Sequence, residues 1–433
     1  MRILYCIPAL YNAGGMERVL TQKVNWLAAH TEHEITIITT ERTPEGTKDT
    51  YFLLDKQIQV VSLNIDFDAD YSKPLLTKWF AHMRKMRAYE RALKGYIRAQ
   101  EIDLCISLCG KEIAFLHSLP CRSIAELHFA KDQRRHLLEA NHRGPFWSLL
   151  GYIRTWQLVN AVRPLECLVV LTEADKKDWN KAGCKNVICI PNPCSLDRQE
   201  LQKSSISSDK NTVLAVGRLH EQKGFDLLLQ AWRTIEQRHP DRTLRIVGEG
   251  PQRDKLGHMI ENTGLRHVLL AGRTKNMANE YLNASLFVLS SRYEGSPLVL
   301  SEAMWCGVPC VAFDCPQGPA ELLAEGRGWL VPKGDVDALR RQIEYAMTHP
   351  EEAEQRAQKA QQFAQQTYSE KNIMPKWIEL IENTGITPVS GMRAPSAAFQ
   401  PVTVKSGGFM PHSMAIERSV SRWAAFPVSS FSS

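Results

Sequence analysis

The stretch RYEGSPLVLSEAMWCGVPCVAF, residues 292–313, carries the clearest structural signal in this chain. It follows an apolar run that is typical of a buried strand. Ser296 and Pro297 are residue types that favour the start of a helix, and Gly307 favours its end. We therefore predict a helix over 297–306, with Ser296 as the N-cap, between two strands of a sheet.

The N-terminus of this predicted helix is a suitable place for an anion. Its unbonded N–H groups and its dipole favour a diphosphate. Glu294 lies just before the helix, and Glu302 follows eight residues later, about two turns further on the same face. Each could be an ordinary loop or helix charge. However, the apolar residues around Glu302 predict a buried helix, where a carboxylate needs a partner, and the hydroxyl groups of a sugar nucleotide would supply partners.

A second motif, GRLHEQKG at 217–224, follows a predicted strand and precedes a predicted helix. Arg218 and Lys223 lie five residues apart across a glycine-containing turn, where two cations can converge on a diphosphate that is bound and then leaves. The alternative is that both are solvated surface charges, as most arginines and lysines are. Weaker turn signals follow at 247–251 and at 271–276, and the latter contains Gly272 and Arg273.

Short apolar runs alternate with amphipathic stretches along most of the chain, which predicts parallel sheets covered by helices. The strands are predicted at 2–8, 34–40, 58–63, 104–108, 123–128, 168–172, 187–191, 212–216, 244–247, 268–271, 286–290 and 309–313. The pattern is interrupted by Pro-Asn-Pro and by a Ser- and Lys-rich linker at 202–211. We predict two facing, doubly wound, Rossmann-like domains at 1–192 and 193–385, with a deep cleft at the carboxyl ends of their sheets. The last helix is expected to pack back on the first domain, and 386–433 is expected to be a disordered tail.

The first predicted domain offers weaker site signals. Gly14 and Gly15 lie between the first strand and the first helix, where two glycines let the backbone approach a ligand closely. The full Gly-x-Gly-x-x-Gly pattern is missing, which disfavours a dehydrogenase. His128 ends a predicted strand beside the cleft, although a lone histidine is more often a core or surface residue.

Composition sets broad limits on function. The chain has 433 residues, of which 44% are hydrophobic and 23% are charged, and a formal net charge of +6, as expected for a soluble globular protein. No apolar run approaches the length that a transmembrane helix needs. The eleven cysteines form no Cys-x-x-Cys pair, and we interpret them as buried thiols in a reducing cytoplasm, with no metal site.

Two stretches, 73–100 and 134–163, combine basic residues with apolar residues near helical spacing. Such stretches can lie on an anionic bilayer, which predicts a peripheral position on the inner face of the cytoplasmic membrane. The alternative is a core helix with a basic outer face. No nucleic-acid-binding module is apparent, so no nucleic-acid partner is expected.

Together these motifs resemble glycosyltransferase family 4, a group of retaining enzymes with the GT-B fold that are also described as glycosyl transferases group 1. The resemblance covers about residues 1–385. It rests on the two glutamates with Glu-Ala-Met and Cys-Gly-x-Pro, on Gly-Arg-x-x-x-x-Lys-Gly, and on Gly-Gly-x-Glu at 14–17. The usual Gly-Phe-Gly after the first glutamate is replaced here by Gly295, Ser296 and Pro297.

The resemblance implies roles for individual residues. Glu302 would bind the donor ribose, Glu294 would bind the sugar ring near the reacting carbon, and His128 would approach the transferred sugar, so that Glu294 and His128 are the catalytic candidates. The donor-binding candidates are Gly14, Gly15, Arg218, Lys223, Gly272, Arg273, Ser296, Pro297, Leu298, Val299 and Glu302.

The resemblance also implies a reaction. A sugar would move from a nucleoside diphosphate sugar, a uridine diphosphate sugar in our prediction, to a hydroxyl group of a saccharide or lipid-linked saccharide in surface polysaccharide synthesis. Retention by front-face attack is implied, with neither cofactor nor metal. Two alternatives remain: a sugar-nucleotide epimerase or hydrolase on the same fold, and a non-catalytic partner subunit. The complete Glu294–Glu302 signature speaks against the first. The presence of Arg218, Lys223, Glu294 and Glu302 speaks against the second, since a relict site should have decayed.

Overall fold

The computed structural model describes residues 1–70, 75–141, 144–194, 196, 201 and 211–382. The predicted tail at 386–433 and the predicted linker at 202–211, except Asn211, lie outside the described residues. The chain divides into two compact units. Unit 1 comprises Met1–Ile190 together with residues 374–382, and unit 2 comprises Pro191–Ile373.

Unit 1 is built around a seven-stranded parallel sheet with the strand order β3-β2-β1-β4-β5-β6-β7. The strands are β1 (Arg2–Ile7), β2 (Glu34–Thr39), β3 (Gln59–Ser62), β4 (Leu104–Ser107), β5 (Arg122–Glu126), β6 (Cys167–Val170) and β7 (Val187–Cys189). The helices are α1 (Gly15–His30), α2 (Leu75–Ala99), α3 (Gln133–Asn141), α4 (Pro145–Val162) and α5 (Glu173–Lys181). A short 3₁₀ turn, Lys111–Ala114, follows β4. The central strands are apolar on both faces because helices cover both sides of a parallel sheet.

Unit 2 repeats this plan with six parallel strands in the order β10-β9-β8-β11-β12-β13. The strands are β8 (Thr212–Val216), β9 (Thr243–Val247), β10 (Val268–Gly272), β11 (Ala284–Leu289), β12 (Cys310–Asp314) and β13 (Trp329–Pro332). The helices are α6 (Phe225–Arg238), α7 (Arg253–Thr263), α8 (Met277–Leu282), α9 (Leu298–Trp305), α10 (Pro319–Leu322), α11 (Val336–Thr348) and α12 (Pro350–Thr367). A last helix, α13 (Glu370–Glu382), begins in unit 2 and contributes residues 374–382 to unit 1.

The strand order reverses at one place in each sheet. In unit 1 the reversal lies between β1 and β4, and in unit 2 it lies between β8 and β11. In open α/β sheets the loops that follow two such strands run to opposite faces and leave a crevice at the carboxyl edge, where ligands bind. This topology brings 217–224, after β8, next to 290–297, after β11.

The predicted doubly wound α/β architecture is confirmed, with a few local corrections. Helix α9 begins at Leu298, and Pro297 holds the N-cap position, so the prediction of Ser296 as N-cap was wrong. Strand β5 ends at Glu126, so His128 follows the strand instead of ending it. Strand β13 escaped prediction because its four residues lie among turn residues with no distinctive pattern.

A close backbone approach in unit 2 occurs at Gly224, which precedes α6. Its φ is +61°, and a Cβ atom there would lie 2.0 Å from the carbonyl oxygen of Ser290. We expect Gly224→Ala to lower the free energy of unfolding by about 2–4 kcal/mol, because both the backbone strain and the clash oppose the substitution.

Gly257→Ala is the matched control, since Gly257 lies inside α7 and a Cβ atom there meets nothing within 4 Å. It should leave stability unchanged or raise it by up to about 1 kcal/mol. Urea unfolding followed by circular dichroism measures both changes. Equal stability of the Gly224 variant and the natural chain would contradict the packing described here.

Candidate functional site

The loops after β8 and β11 are joined by several hydrogen bonds. The hydroxyl group of Ser290 donates to the carbonyl oxygen of Lys223 at 2.9 Å. The guanidinium group of Arg292 donates to both carboxylate oxygens of Asp226, at 2.9 and 2.7 Å, and also to the carbonyl oxygen of Glu221 at 2.7 Å. A two-pronged contact of this kind fixes direction as well as distance. The two loops therefore form one rigid wall at the carboxyl edge of the sheet.

Lys223 and Glu294 meet at this wall. The ammonium nitrogen of Lys223 lies 2.7 Å from Oε1 of Glu294, and the hydroxyl group of Ser291 donates to the same oxygen at 2.6 Å. Glu294 is 7% exposed and Ser291 is fully buried. Lys223 and Glu294 belong to two separate sequence motifs, and the fold brings their charged groups into contact.

The turn that leads into α9 packs against Gly318. Gly318 has a φ of +97°, and a Cβ atom there would lie 2.6 Å from Cδ of Pro297 and 2.9 Å from the carbonyl oxygen of Gly295. Ser296, Leu298 and Val299 are half-buried, and the N–H groups in the first turn of a helix have no acceptor within that helix. At its other end α9 stops as predicted, with Gly307 at a φ of +70°.

Glu302 lies inside unit 2 and has the partner that its burial requires. It is 3% exposed, and its Oε2 accepts a hydrogen bond of 2.8 Å from the hydroxyl group of Tyr281, which is fully buried on α8. Tyr281 was not among the candidates from the sequence, because nothing in the sequence connects it with a glutamate twenty-one residues later.

The remaining candidates of unit 2 surround the same edge. Arg218 is exposed directly after Gly217, and the N–H group of Leu219 donates to the carbonyl oxygen of Glu249 at 3.0 Å. Gly272 ends β10 with a φ of +74°, where a Cβ atom would lie 3.0 Å from Oε1 of Glu249. The loops after β8, β9 and β10 are therefore adjacent, and Arg273 is an exposed side chain on the outermost of them.

In unit 1, Gly14 and Gly15 lie at the start of α1, where Gly14 is the N-cap. A Cβ atom at Gly14 would lie 2.1 Å from Oε2 of Glu17, so this carboxylate folds back towards the helix N-terminus. An acidic group there interacts favourably with the helix dipole. Gly14 and Gly15 are donor-binding candidates from the sequence, and the structure adds that Glu17 already supplies negative charge at this end.

His128 lies beside a buried ion pair. Its Nε2 is 3.1 Å from Oε1 of Glu126, whose Oε2 is bonded to the ammonium group of Lys23. Lys23 and Glu126 are each 1% exposed, and the ammonium group lies 3.8 Å from the ring centroid of Trp377 on α13. Burial by itself would raise the pKa of Glu126, but Lys23 and then His128 outweigh it and hold this pKa at about 2.

A second buried carboxylate of unit 1, Glu112, was absent from the sequence-based site. Its Oε1 accepts hydrogen bonds from the Ser107 hydroxyl group at 2.6 Å and the Gly110 N–H group at 3.0 Å. The Tyr89 hydroxyl group donates to its Oε2 at 3.1 Å. Burial raises the pKa of Glu112 despite these donors. Residues of β4 and of the loop that follows it thus donate hydrogen bonds to Glu112, at the place where the strand order of unit 1 reverses.

All eleven cysteines are free thiols. Within the described ranges, no group of three or more His, Cys, Asp or Glu side chains is arranged to hold a metal ion. No helix in the described part of the chain is long and apolar enough to cross a membrane.

Comparison with known proteins agrees with this fold. Residues 197–363 match the family described as glycosyl transferases group 1. An uncharacterized glycosyltransferase of Haemophilus influenzae is 28% identical over 380 residues, which cover 87% of this chain and 98% of that protein. The alpha-1,4-N-acetyl-D-galactosaminyltransferase of Campylobacter jejuni named for GalNAc-alpha-(1->4)-GalNAc-alpha-(1->3)-diNAcBac-PP-undecaprenol is 26% identical over 393 residues, 88% of this chain and 98% of that protein.

Among solved structures, sucrose-phosphate synthase from Thermosynechococcus elongatus superimposes with a TM-score of 0.71 at 19% identity, over 88% of this chain and 98% of that one. The two doubly wound sheets and this likeness define a GT-B fold. The protein is an enzyme of the glycosyltransferase class. More particularly, the stretch that is similar to glycosyl transferases group 1 contains Lys223, Glu294 and Glu302.

The buried Lys23–Glu126 pair should show strong energetic coupling. We expect Lys23→Met alone to lower the free energy of unfolding by about 3–5 kcal/mol, because it leaves a buried carboxylate without its cation. The double variant Lys23→Met/Glu126→Gln should recover most of this loss, since no uncompensated charge remains. Urea unfolding of the four members of the cycle measures the coupling.

The i,i+4 pair of Lys94 and Glu90 is the control for this cycle, because its side chains are 24% and 36% exposed. Coupling there should stay below about 1 kcal/mol. If the two substitutions at Lys23 and Glu126 were simply additive, the pair would not be the compensated unit described here.

Proposed function

We propose that this glycosyltransferase moves a sugar from a nucleoside diphosphate sugar to a hydroxyl group of a saccharide or lipid-linked saccharide, with retention of anomeric configuration. In this proposal it is a family 4 enzyme of surface polysaccharide synthesis, with uridine diphosphate as the leaving group. The observation that carries the proposal is the meeting of Lys223 and Glu294, 2.7 Å apart, beside the N-terminus of α9.

The diphosphate of the donor fits the positive side of this site. Lys223, the exposed Arg218 and the first turn of α9 all present positive charge or N–H donors at the carboxyl edge of the sheet. During transfer the sugar–oxygen bond breaks and negative charge grows on the departing phosphate. Donors that are already in position stabilise that charge without reorganisation.

The two glutamates suit the two ends of the donor. Oε2 of Glu302 accepts from Tyr281, which orients the carboxylate and directs Oε1 to a ribose hydroxyl group in our proposal. Lys223 and Ser291 both donate to Oε1 of Glu294, and Oε2 is the atom that we assign to a hydroxyl group of the transferred sugar. Gly272 and Arg273 would lie on the side of the base.

Retention follows most simply from front-face attack. A carboxylate that is held by a lysine and a serine hydroxyl group is a weak nucleophile, because both contacts stabilise its negative charge. This argues against a covalent sugar–Glu294 intermediate. We propose instead that the acceptor oxygen attacks from the side of the leaving diphosphate, which takes the acceptor proton. His128 would contact the transferred sugar, and no cofactor or metal would be needed.

The acceptor side is supported by charge in unit 1. Arg154 is 4% exposed on α4, and its pKa is lowered to about 10 by burial and then by the like charge of Arg134. Burial also lowers the pKa of Arg134 to about 10. Positive charge concentrated in this way favours an acceptor that carries phosphate. The relative named for a diphosphate-linked undecaprenol saccharide agrees with that preference.

The first test is diphosphate release by the full chain with uridine, guanosine and adenosine diphosphate sugars, with and without a lipid-linked saccharide extract. We expect release from a uridine diphosphate sugar that rises strongly when the extract is added. Glu294→Gln should reduce this release about a hundredfold or more, because an amide cannot replace the carboxylate on the sugar. The product, analysed by nuclear magnetic resonance, should keep the anomeric configuration of the donor.

Glu261→Gln is the control, since Glu261 is an exposed residue of α7. Equal release without the extract, or conversion of the donor sugar, would instead identify an epimerase or hydrolase. No diphosphate release with any donor, together with no donor binding in calorimetry, would identify a non-catalytic subunit.

Tyr281 provides a separate test of the donor site. Tyr281→Phe removes the hydroxyl group that orients Glu302, so we expect the KM for the donor to rise about tenfold with little change in kcat. Tyr345→Phe is the control, because its hydroxyl group donates at 2.7 Å to Glu352, a half-buried residue of α12. Steady-state kinetics measures both, and equal KM values for the two variants would rule out this role of Glu302.

A further inference from the structure

Helix α4 has the reverse of the usual amphipathic pattern. Arg154 is its one charged residue, and it lies on the face turned into unit 1, where it is 4% exposed. The opposite face is mostly apolar, with Gln157 and Asn160 near its C-terminal end. Five large apolar or aromatic side chains there are between 39% and 65% exposed: Phe146, Leu149, Tyr152, Ile153 and Trp156.

The spacing of these five residues places them on one side of the helix. The orientation of α4 is fixed by its packing on α3, since a Cβ atom at Gly151 would lie 2.8 Å from Cα of Arg135. The helix therefore cannot rotate to hide this side without losing that contact. A contiguous exposed surface of aromatic and aliphatic residues marks a place where something else binds. We call these five residues the α4 face.

A basic stripe accompanies the α4 face. Helix α2 exposes four arginines at helical spacing along its outer side, with Phe80 and Met83 exposed near its first turns. The arginines are Arg84, Arg87, Arg91 and Arg98. Helices α2 and α4 both pack against the turn Lys111–Ala114, so the basic stripe and the α4 face belong to the same region of unit 1.

We propose that the α4 face and the basic stripe of α2 together dock unit 1 on an anionic lipid bilayer. The aromatic and aliphatic side chains enter the boundary between headgroups and acyl chains, where Trp and Tyr are favoured. The arginines lie over lipid phosphates, which attract basic groups at the membrane surface.

Charge decides between a bilayer and a second copy of the chain. In a symmetric pair the same patch meets itself, so the arginines of one stripe would face those of the other. An anionic bilayer complements the stripe and the net charge of +6 instead. This docking surface rests on the proposed function, since a lipid-linked acceptor is found at a bilayer. Vesicle binding is measured without donor or acceptor, so it can be tested separately from sugar transfer.

The test is flotation of the full chain with vesicles of phosphatidylglycerol and phosphatidylethanolamine, compared with vesicles of phosphatidylcholine alone. We expect strong preference for the anionic vesicles. Leu149→Gln/Trp156→Gln should weaken binding about tenfold or more at every salt concentration. Arg84→Gln/Arg87→Gln/Arg91→Gln should weaken it by about as much in low salt and by much less in high salt, where charge is screened.

Two matched variants act as controls. Tyr51→Ser/Leu53→Gln alters exposed apolar residues elsewhere in unit 1, which are 52% and 89% exposed. Arg233→Gln/Arg266→Gln/Arg341→Gln removes three exposed arginines of unit 2. Both should float like the natural chain. Nucleotide-sugar binding by calorimetry and the unfolding midpoint show that each variant is folded.

Unchanged flotation of folded α4-face variants would overturn the inference. So would a stable dimer in light scattering that Leu149→Gln/Trp156→Gln converts to a monomer, because a second copy would then cover the face. Sugar transfer in detergent by a chain that never binds vesicles would reject the docking surface alone. Vesicle binding by a chain that transfers no sugar would reject the proposed function and leave the docking surface standing.

Discussion

The backbone of Gly224 lies directly against the carbonyl oxygen of Ser290, and the candidate donor site depends on this approach. The strand order reverses between β8 and β11, so the chain leaves these two strands towards opposite faces of the sheet. A residue without a side chain lets the loops that follow them touch, and the Ser290 hydroxyl group then bonds to the backbone of Lys223. Lys223 and Glu294 extend from the two joined loops and therefore reach each other.

Both units bury carboxylates and provide them with nearby donors. Glu294 has an ammonium and a hydroxyl group, Glu302 has a phenol, and Glu126 has an ammonium group. A buried carboxylate with no donor would cost several kcal/mol, so these contacts are what permit charge close to the core. The difference matters for chemistry. Glu126 is held in place by a fully buried lysine, whereas Glu294 lies at a sheet edge where a ligand can approach it.

The outer surface of unit 1 exposes large apolar side chains on helix α4. A surface helix normally turns charge to water, but α4 turns aromatic residues outward and its arginine inward. The sequence already indicated basic and apolar residues at 134–163. It did not show that this stretch forms two helices, α3 and α4, or which side of α4 faces out. That side depends on the contact between Gly151 and Arg135, which are sixteen residues apart.

The sequence by itself determined the doubly wound architecture, because apolar runs of strand length that alternate with amphipathic helices fit few folds other than a parallel sheet covered by helices. It also determined β8 to the residue and the end of α9, since strand periodicity and a left-handed glycine are local properties. Local patterns failed at the start of α9, where packing of Gly318 against Pro297 competes with the capping preference of Ser296. Tertiary structure alone decided that Tyr281 orients Glu302, that Lys223 meets Glu294, and that Glu126 pairs with Lys23. Each of these contacts joins residues on different strands, helices or loops. A distance across a fold is set by how its sheets and helices pack, which residue spacing does not encode.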